Sequence, residues 1–280
     1  NHPQMLEPLS GGTMPVSLYF TQWLLVGIFT FALPQSVVRC MGYKDTKSLR
    51  GAMIGGTIII GAMMIGVTTL GVLSAGVLTG DLASYGGSVD NIIPRTIVET
   101  LPPWLAGVAI VGPVAASIST VSSLLIASSS AIIKDLWLHY ADDRGQQVSD
   151  AVVARSSQII TLGVGVIVFV LAVVPPSVIW KINMFAFGGL ETAFCWVLVG
   201  ALFFKRANKV GAIASMVGGT AVYCVCMALG FKLFGLHQIV IGITVSLLCM
   251  AIGSWIGNRR ANAADAAADA EMREVFFPEA

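Results

Sequence analysis

The sequence predicts an all-α integral membrane protein, and three observations carry that reading. Hydrophobic residues make up 56% of the chain and charged residues 11%, against about 45–50% and about 25% in soluble domains. The mean hydropathy is +0.83. The apolar residues gather into seven runs, each near or above the length that a helix needs to cross a bilayer, about 17–25 residues. Lys and Arg fall almost wholly in alternate connections between those runs.

The first run, 15–38, follows a short segment, 1–14, and breaks its own helical rules. It reads Gly27-Ile-Phe29-Thr30-Phe-Ala-Leu33-Pro34-Gln35. A mid-span proline deletes a backbone hydrogen bond and clashes with the preceding turn, and Gly27 weakens the helix shortly before it. Freed backbone groups are tolerated at membrane depth only beside protein or a water-filled cavity. Interrupted spans of this kind carry binding sites in transporters. An ordinary proline kink is the alternative.

The second run, 52–78, is apolar throughout. The connection 79–104 holds one candidate short helix, Asn91 to Leu101, with Pro94 in its first turn and Pro102-Pro103 ending it. The third run, 105–132, is rich in hydroxyls. At helical spacing Ala116, Ser119, Thr120, Ser123 and Ala127 share one face. Such a face of small residues can pack closely on another helix. It can equally hold a cation, because hard cations take oxygen ligands and adjacent Ser and Thr supply two.

Residues 134–156 read as a charged connection. The fourth run, 157–174, is near the lower length limit. The fifth, 182–204, contains Glu191, the one carboxylate well inside an apolar run. Ionisable groups at membrane depth are costly and are functional candidates by default; a paired or neutral buried Glu is the alternative. Gly188-Gly189 beside it would let another backbone approach. The sixth and seventh runs are 211–231 and 238–257. The tail, 258–280, turns Ala- and Asp-rich and then acidic, which predicts a frayed helix or disorder.

Thirteen of the sixteen Lys and Arg residues lie in one set of connections, and only Arg95, Lys181 and Lys232 lie in the other. The bias places the first set in the cytoplasm. Lys47, Arg206 and Arg273 are then cytoplasmic and Tyr85 and Arg95 external, with the N-terminal segment outside and the C-terminus inside. Trp104, Trp137, Trp180 and Trp255 sit at span ends, where an aromatic belt is expected. Four of the five Cys residues lie within apolar runs and there is no CxxC; they read as small buried hydrophobes. His2, His139 and His237 are scattered. No nucleophile–base pair, phosphate loop or metal motif is present, so no enzyme is expected, no organic cofactor, and, with a net charge of +1, no nucleic-acid partner. The chain starts at Asn1 with no signal peptide, so a preceding segment is expected.

Several stretches resemble the sodium:solute symporter family. Residues 201–221, with Arg206, Gly211-Ala212, Ser215 and Gly219, resemble its C-terminal signature. Ala115-Ala116-Ser-Ile-Ser119-Thr120 resembles its sodium-site helix. Pro34-Gln35-Ser-Val-Val-Arg39 and Lys44-Asp45 resemble its broken substrate helix and the turn that follows. The likeness runs from about residue 15 to 257 and is greatest to the members that carry pantothenate, on Leu33-Pro34, Val38-Arg39-Cys40, Tyr43-Lys44-Asp45, Ile132 to Leu136 and Ala186 to Glu191. Gln35 departs from the pattern, which would have His.

The resemblance implies a LeuT-type inverted-repeat fold, of which the seven spans are the second repeat plus two peripheral helices, the N-terminal half being absent. It implies a multi-pass protein of the inner (plasma) membrane that couples inward Na+ flow to uptake of pantothenate, a small carboxylate. It further implies a sodium site at Ala116, Ser119 and Thr120, through the Ala116 carbonyl and the two hydroxyls, with the other ligands from the missing half. A substrate path follows along Phe29, Thr30, Leu33, Pro34 and Gln35, with Phe187 and Glu191. A symporter for proline or another carboxylate is the nearest rival. A membrane sensor of the same fold would continue into a long signalling domain. A chromophore-binding seven-helix receptor or pump would offer a Lys in its last span, and 238–257 has none.

Overall fold

The computed structural model describes residues 14–78, 80, 86–146, 148–173, 175 and 177–260. The expectations for the segment before Met14, for Tyr85 and for the tail beyond Arg260, Arg273 included, lie outside these. Among the described residues there are helices and turns and no strand.

The first span is broken into α1 (Val16–Trp23) and α2 (Pro34–Met41), joined by a π turn, Leu24–Ile28, and a 3-10 turn, Phe29–Ala32. The helix α3 runs Thr46–Val77. Asp45 precedes it and accepts the Ser48 N–H at 2.6 Å; that bond holds its carboxyl below the usual carboxylate range. A 3-10 turn, Val89–Asn91, leads into α4 (Ile92–Thr100), which stops at Leu101 before Pro102. Then come α5 (Pro103–Ser130), a π-helical stretch (Ala131–Leu138), α6 (His139–Asp143) and α7 (Asp150–Val173). The chain continues with α8 (Ile179–Phe203), α9 (Lys209–Ala228) and α10 (Gln238–Arg260).

Six of these helical stretches are long and apolar enough to cross a membrane, and α1 with α2, bent by 46°, makes a seventh if the pair is one span. Five of the six long helices begin before their apolar runs, while α3, α7, α8 and α9 end one to three residues short of theirs. The largest difference follows the third run, where a continuous helix extends to Asp143 through residues read from sequence as a connection. Ala, Ile and Leu there are adequate helix formers, and no Gly or Pro interrupts them until Gly145, which takes a positive φ of 67°.

The chain divides into two compact units, Asn1–Gly66 with Trp180–Ala280, and Val67–Ile179. In the first, α9 and α10 form a tightly packed pair. Gly211 and Gly253 allow the approach: a Cβ on Gly253 would lie 2.9 Å from the Gly211 Cα. The two helices also share a buried hydroxyl contact, Ser215 to Ser246, at 2.8 Å. Ser246 Oγ gives its one proton to the Thr192 carbonyl of α8, at 2.8 Å, so Ser215 is the donor in the pair. Asn208 caps α9 by accepting the Gly211 N–H at 3.0 Å, and it donates to the Ser254 carbonyl at 2.8 Å. On α1, Thr21 Oγ1 accepts the His237 N–H at 2.9 Å. The hydrophobic core of this unit is Leu25, Ala32, Met184, Cys195, Tyr223, Ile239 and Ile243.

In the second unit α5 packs on α7, and Thr161 Oγ1 donates to Ser129 Oγ at 2.8 Å. Pro113 lies inside α5 and removes one intrahelical bond there.

Candidate functional site

Pro34 fixes the break in the first span. It has no N–H to give the Thr30 carbonyl, and its ring drives the residue before it out of the helical region. Leu33 accordingly takes φ −66° and ψ 127°, and its N–H bonds the Thr30 carbonyl at 3.2 Å in the proline's place. Pro34 then occupies the first turn of α2, where a missing N–H costs nothing, and Leu33 accepts from Ser36 and Val37 at 2.8 and 3.2 Å. The Thr30 hydroxyl turns back to the Val26 carbonyl at 3.2 Å.

The break lies against the core of its own unit. Ala32 and Leu33 are buried, and Phe29 packs on the core cluster together with Phe187 of α8. The structure thus brings Phe29 and Phe187 to one cluster, while Thr30, Pro34 and Gln35 are half-buried beside it. On α8, Phe187, Glu191 and Cys195 share a face at helical spacing. Glu191 is fully buried, and neither of its carboxyl oxygens has a hydrogen-bond partner among the described residues. Buried polar groups are nearly always paired, so this carboxyl stands out from its surroundings.

Gly188 does let a neighbour approach, but the neighbour is a side chain. A Cβ at Gly188 would collide with the Tyr223 ring and hydroxyl, whereas one at Gly189 would meet nothing within 4 Å. Tyr223 is fully buried and donates to the Met184 carbonyl at 2.8 Å. Trp196 Nε1 donates to the Ile243 carbonyl at 2.9 Å. Neither residue stood out in the sequence. A Tyr hydroxyl within an apolar run needs a partner at membrane depth, which is the signal that could have marked Tyr223.

The hydroxyl face of α5 belongs to the other unit. Thr120 Oγ1 donates to the Ala116 carbonyl at 3.0 Å, and Ser123 Oγ to the Ser119 carbonyl at 3.0 Å. These bonds use the hydroxyl protons and leave lone pairs for a cation. The Ala116 carbonyl already accepts the helical N–H as well, so it is the most committed oxygen of the three. Every residue from Val111 to Leu124 is exposed. Ala116, Ser119 and Thr120 are therefore placed together, with three oxygens on one bare stretch of helix. Among the described residues no group of three or more His, Cys, Asp or Glu side chains could hold a metal ion.

The profile of the "Sodium:solute symporter family" matches residues 4–219. The chain is similar to the sodium/pantothenate symporter of Haemophilus influenzae, at 36% identity over 259 residues, which is 92% of this chain and 52% of that protein. It is similar to the Escherichia coli sodium/pantothenate symporter at 35% identity over 256 residues, 91% of this chain and 52% of that protein. The osmoregulated proline transporter OpuE of Bacillus subtilis is 27% identical over 264 residues, 94% of this chain and 52% of its own length. The chain thus spans about half the length of the curated relatives it matches. No solved structure matches it.

Proposed function

Because the chain belongs to the sodium:solute symporter family, we propose that it forms the C-terminal part of a transporter that couples inward sodium flow to the uptake of pantothenate. The family is one of transporters and not of enzymes, and six or more membrane-crossing helices make this a multi-pass membrane protein. The broken first span is the observation that supports the transport reading most directly. Its extended Leu33 and its proline-headed second half lie on a core that also receives Phe187. Such breaks place backbone dipoles at the membrane midplane, where substrate and ion bind between repeats.

In this reading sodium is held by the Ala116 carbonyl and the Ser119 and Thr120 hydroxyls, with further ligands from the rest of the protein. The carboxylate substrate passes along Phe29, Thr30, Leu33, Pro34 and Gln35, with Phe187 and Glu191 on the facing helix of the same unit. Sodium binding favours the outward-open state by differential affinity, and the substrate follows. The charge bias of the connections supports an N-terminus outside and a C-terminus inside, in the inner (plasma) membrane. Proline is the second substrate reading, carried by the 27% identity to a proline transporter, against the 35% and 36% to the pantothenate symporters.

The test is sodium-driven uptake of labelled pantothenate by the full-length protein in proteoliposomes. Excess unlabelled pantothenate should abolish it and excess proline should not. Competition by proline alone would shift the substrate to the second reading. Uptake indifferent to the sodium gradient would overturn the coupling.

A further inference from the structure

We propose that the cleft between the end of α5 with the π-helical stretch that follows it and the first half of α7 binds the head group of an anionic phospholipid. This rests on the chain spanning a membrane and not on which solute it carries. The cleft has a volume of about 540 Å³, inside the range of small-molecule sites, about 300–1,000 Å³.

Its lining is ordered along the helices. Ser130 and Lys134 face it from one helix, and Ser157 and Gln158 from the other. None of these four side chains has a hydrogen-bond or ion-pair partner among the described residues. The floor is closed by the Thr161 to Ser129 hydroxyl bond at 2.8 Å, with Ser129 only 3% exposed. Toward the middle of both spans the wall becomes apolar, with Ile126 and Leu162, 65% and 70% exposed. Among the described residues Lys134 is the one charged residue lining the cleft. The exposed carboxylate of Asp135 is its neighbour in sequence but is not part of the lining.

The chemistry selects the occupant. An ammonium, two hydroxyls and an amide supply donors in excess of acceptors, which suits a phosphate diester. The polar end lies near the connection that joins the two helices, and the apolar wall lies toward the span centre. A phospholipid has the same order from phosphate to acyl chain. A free anion would leave Ile126 and Leu162 without use. Basic clefts between spans at a membrane face are sites for anionic lipid head groups. The backbone supports a built site as well: Lys134 sits in an eight-residue π-helical stretch, a conformation that is rare and gathers at functional positions.

Native mass spectrometry of the full-length protein, titrated with phosphatidylglycerol or phosphatidylcholine, tests this. Phosphatidylglycerol should bind at lower concentration than phosphatidylcholine. Lys134→Gln should raise the phosphatidylglycerol concentration needed by about fivefold, the equivalent of the ~1 kcal/mol that one basic residue contributes at an anionic membrane surface. Ser157→Leu, which fills the cleft without changing charge, should do the same. Lys44→Gln, in a different connection, should not. Equal binding of the two lipids, an unchanged Lys134→Gln variant, or an equal loss in Lys44→Gln would overturn the proposal. Full displacement by millimolar glycerol phosphate would make the cleft a soluble-anion site and overturn the lipid assignment.

Discussion

Removing either hydroxyl of the proposed sodium site in the full-length protein should weaken sodium activation, and the two should not weaken it equally. Thr120 Oγ1 spends its proton on the Ala116 carbonyl at 3.0 Å, so its lone pairs are what a cation would meet. Deleting that oxygen removes one ligand, and interactions of this kind with a charged group contribute about 1.5–3 kcal/mol. That corresponds to a rise of roughly 10- to 150-fold in the sodium concentration for half-maximal uptake. Thr120→Ala also frees the Ala116 carbonyl from one of its two donors and makes it a better ligand. The effect of Thr120→Ala should therefore fall near the lower end, about tenfold. Ser119→Ala has no such compensation, and it should reach toward the upper end. Thr120→Ser keeps the oxygen and the back-bond and should stay close to the parent. Both residues are exposed in this chain, so the folding stability of this chain by itself should change by less than about 0.5 kcal/mol. The assay is uptake of labelled pantothenate into proteoliposomes, with sodium varied against choline at fixed ionic strength. Ser128→Ala, about two turns further along α5 from Thr120, serves as the control. If the Ser119 and Thr120 variants keep the parent's sodium dependence, the hydroxyl face is a packing surface and the proposed ion site is wrong.

Three further outcomes follow from the first unit. Gly188→Ala should lower the stability of the detergent-solubilised full-length protein by about 2–4 kcal/mol, from overpacking against Tyr223 and loss of its bond to Met184; Gly189→Ala should be neutral or stabilising by up to about 1 kcal/mol, and equal effects in a thermal unfolding comparison would refute the contact. Glu191→Gln should fold normally but change the pH or substrate dependence of uptake, and parent-like kinetics across about pH 6–8 would reduce Glu191 to packing. Burial, and then the Lys232 charge, lower the His237 pKa from 6.5 to about 4. Its neutral Nδ1 accepts the Ile239 N–H at 3.2 Å. A histidine whose folded pKa is depressed stabilises fully above its unfolded value, so this contribution should decline as pH falls from 6.5 toward about 4. Hydrogen exchange at the Ile239 amide, corrected for intrinsic rate, should speed up over that window; constant protection would contradict the reading.

What the sequence determined by itself is what depends on near neighbours along the chain. A run of about twenty apolar residues is a span whatever lies beside it, because the bilayer demands internal hydrogen bonds. The break at Pro34 was legible because a proline acts on the residues immediately before it. Pro94 and Pro102 bounded the short helix α4 in the same way, and helical spacing alone put Ala116, Ser119 and Thr120 on one face. The sequence marked 134–156 as a charged connection, and the structure adds that its first part, to Asp143, is helical; charge density speaks to where a segment lies and not to whether it is helical, and a helix can carry charged residues past the membrane at little cost. Only the tertiary structure decided what meets what. Gly188 receives the Tyr223 ring from 35 positions further along the chain, and Thr21 receives the His237 N–H from 216 residues away. No local rule selects those partners, since they are set by how α8, α9 and α10 pack and by where the chain returns to α1. The same holds for Glu191. The sequence showed a carboxylate at membrane depth, but that both its oxygens lie buried without a donor among the described residues is a property of the packed helices around it.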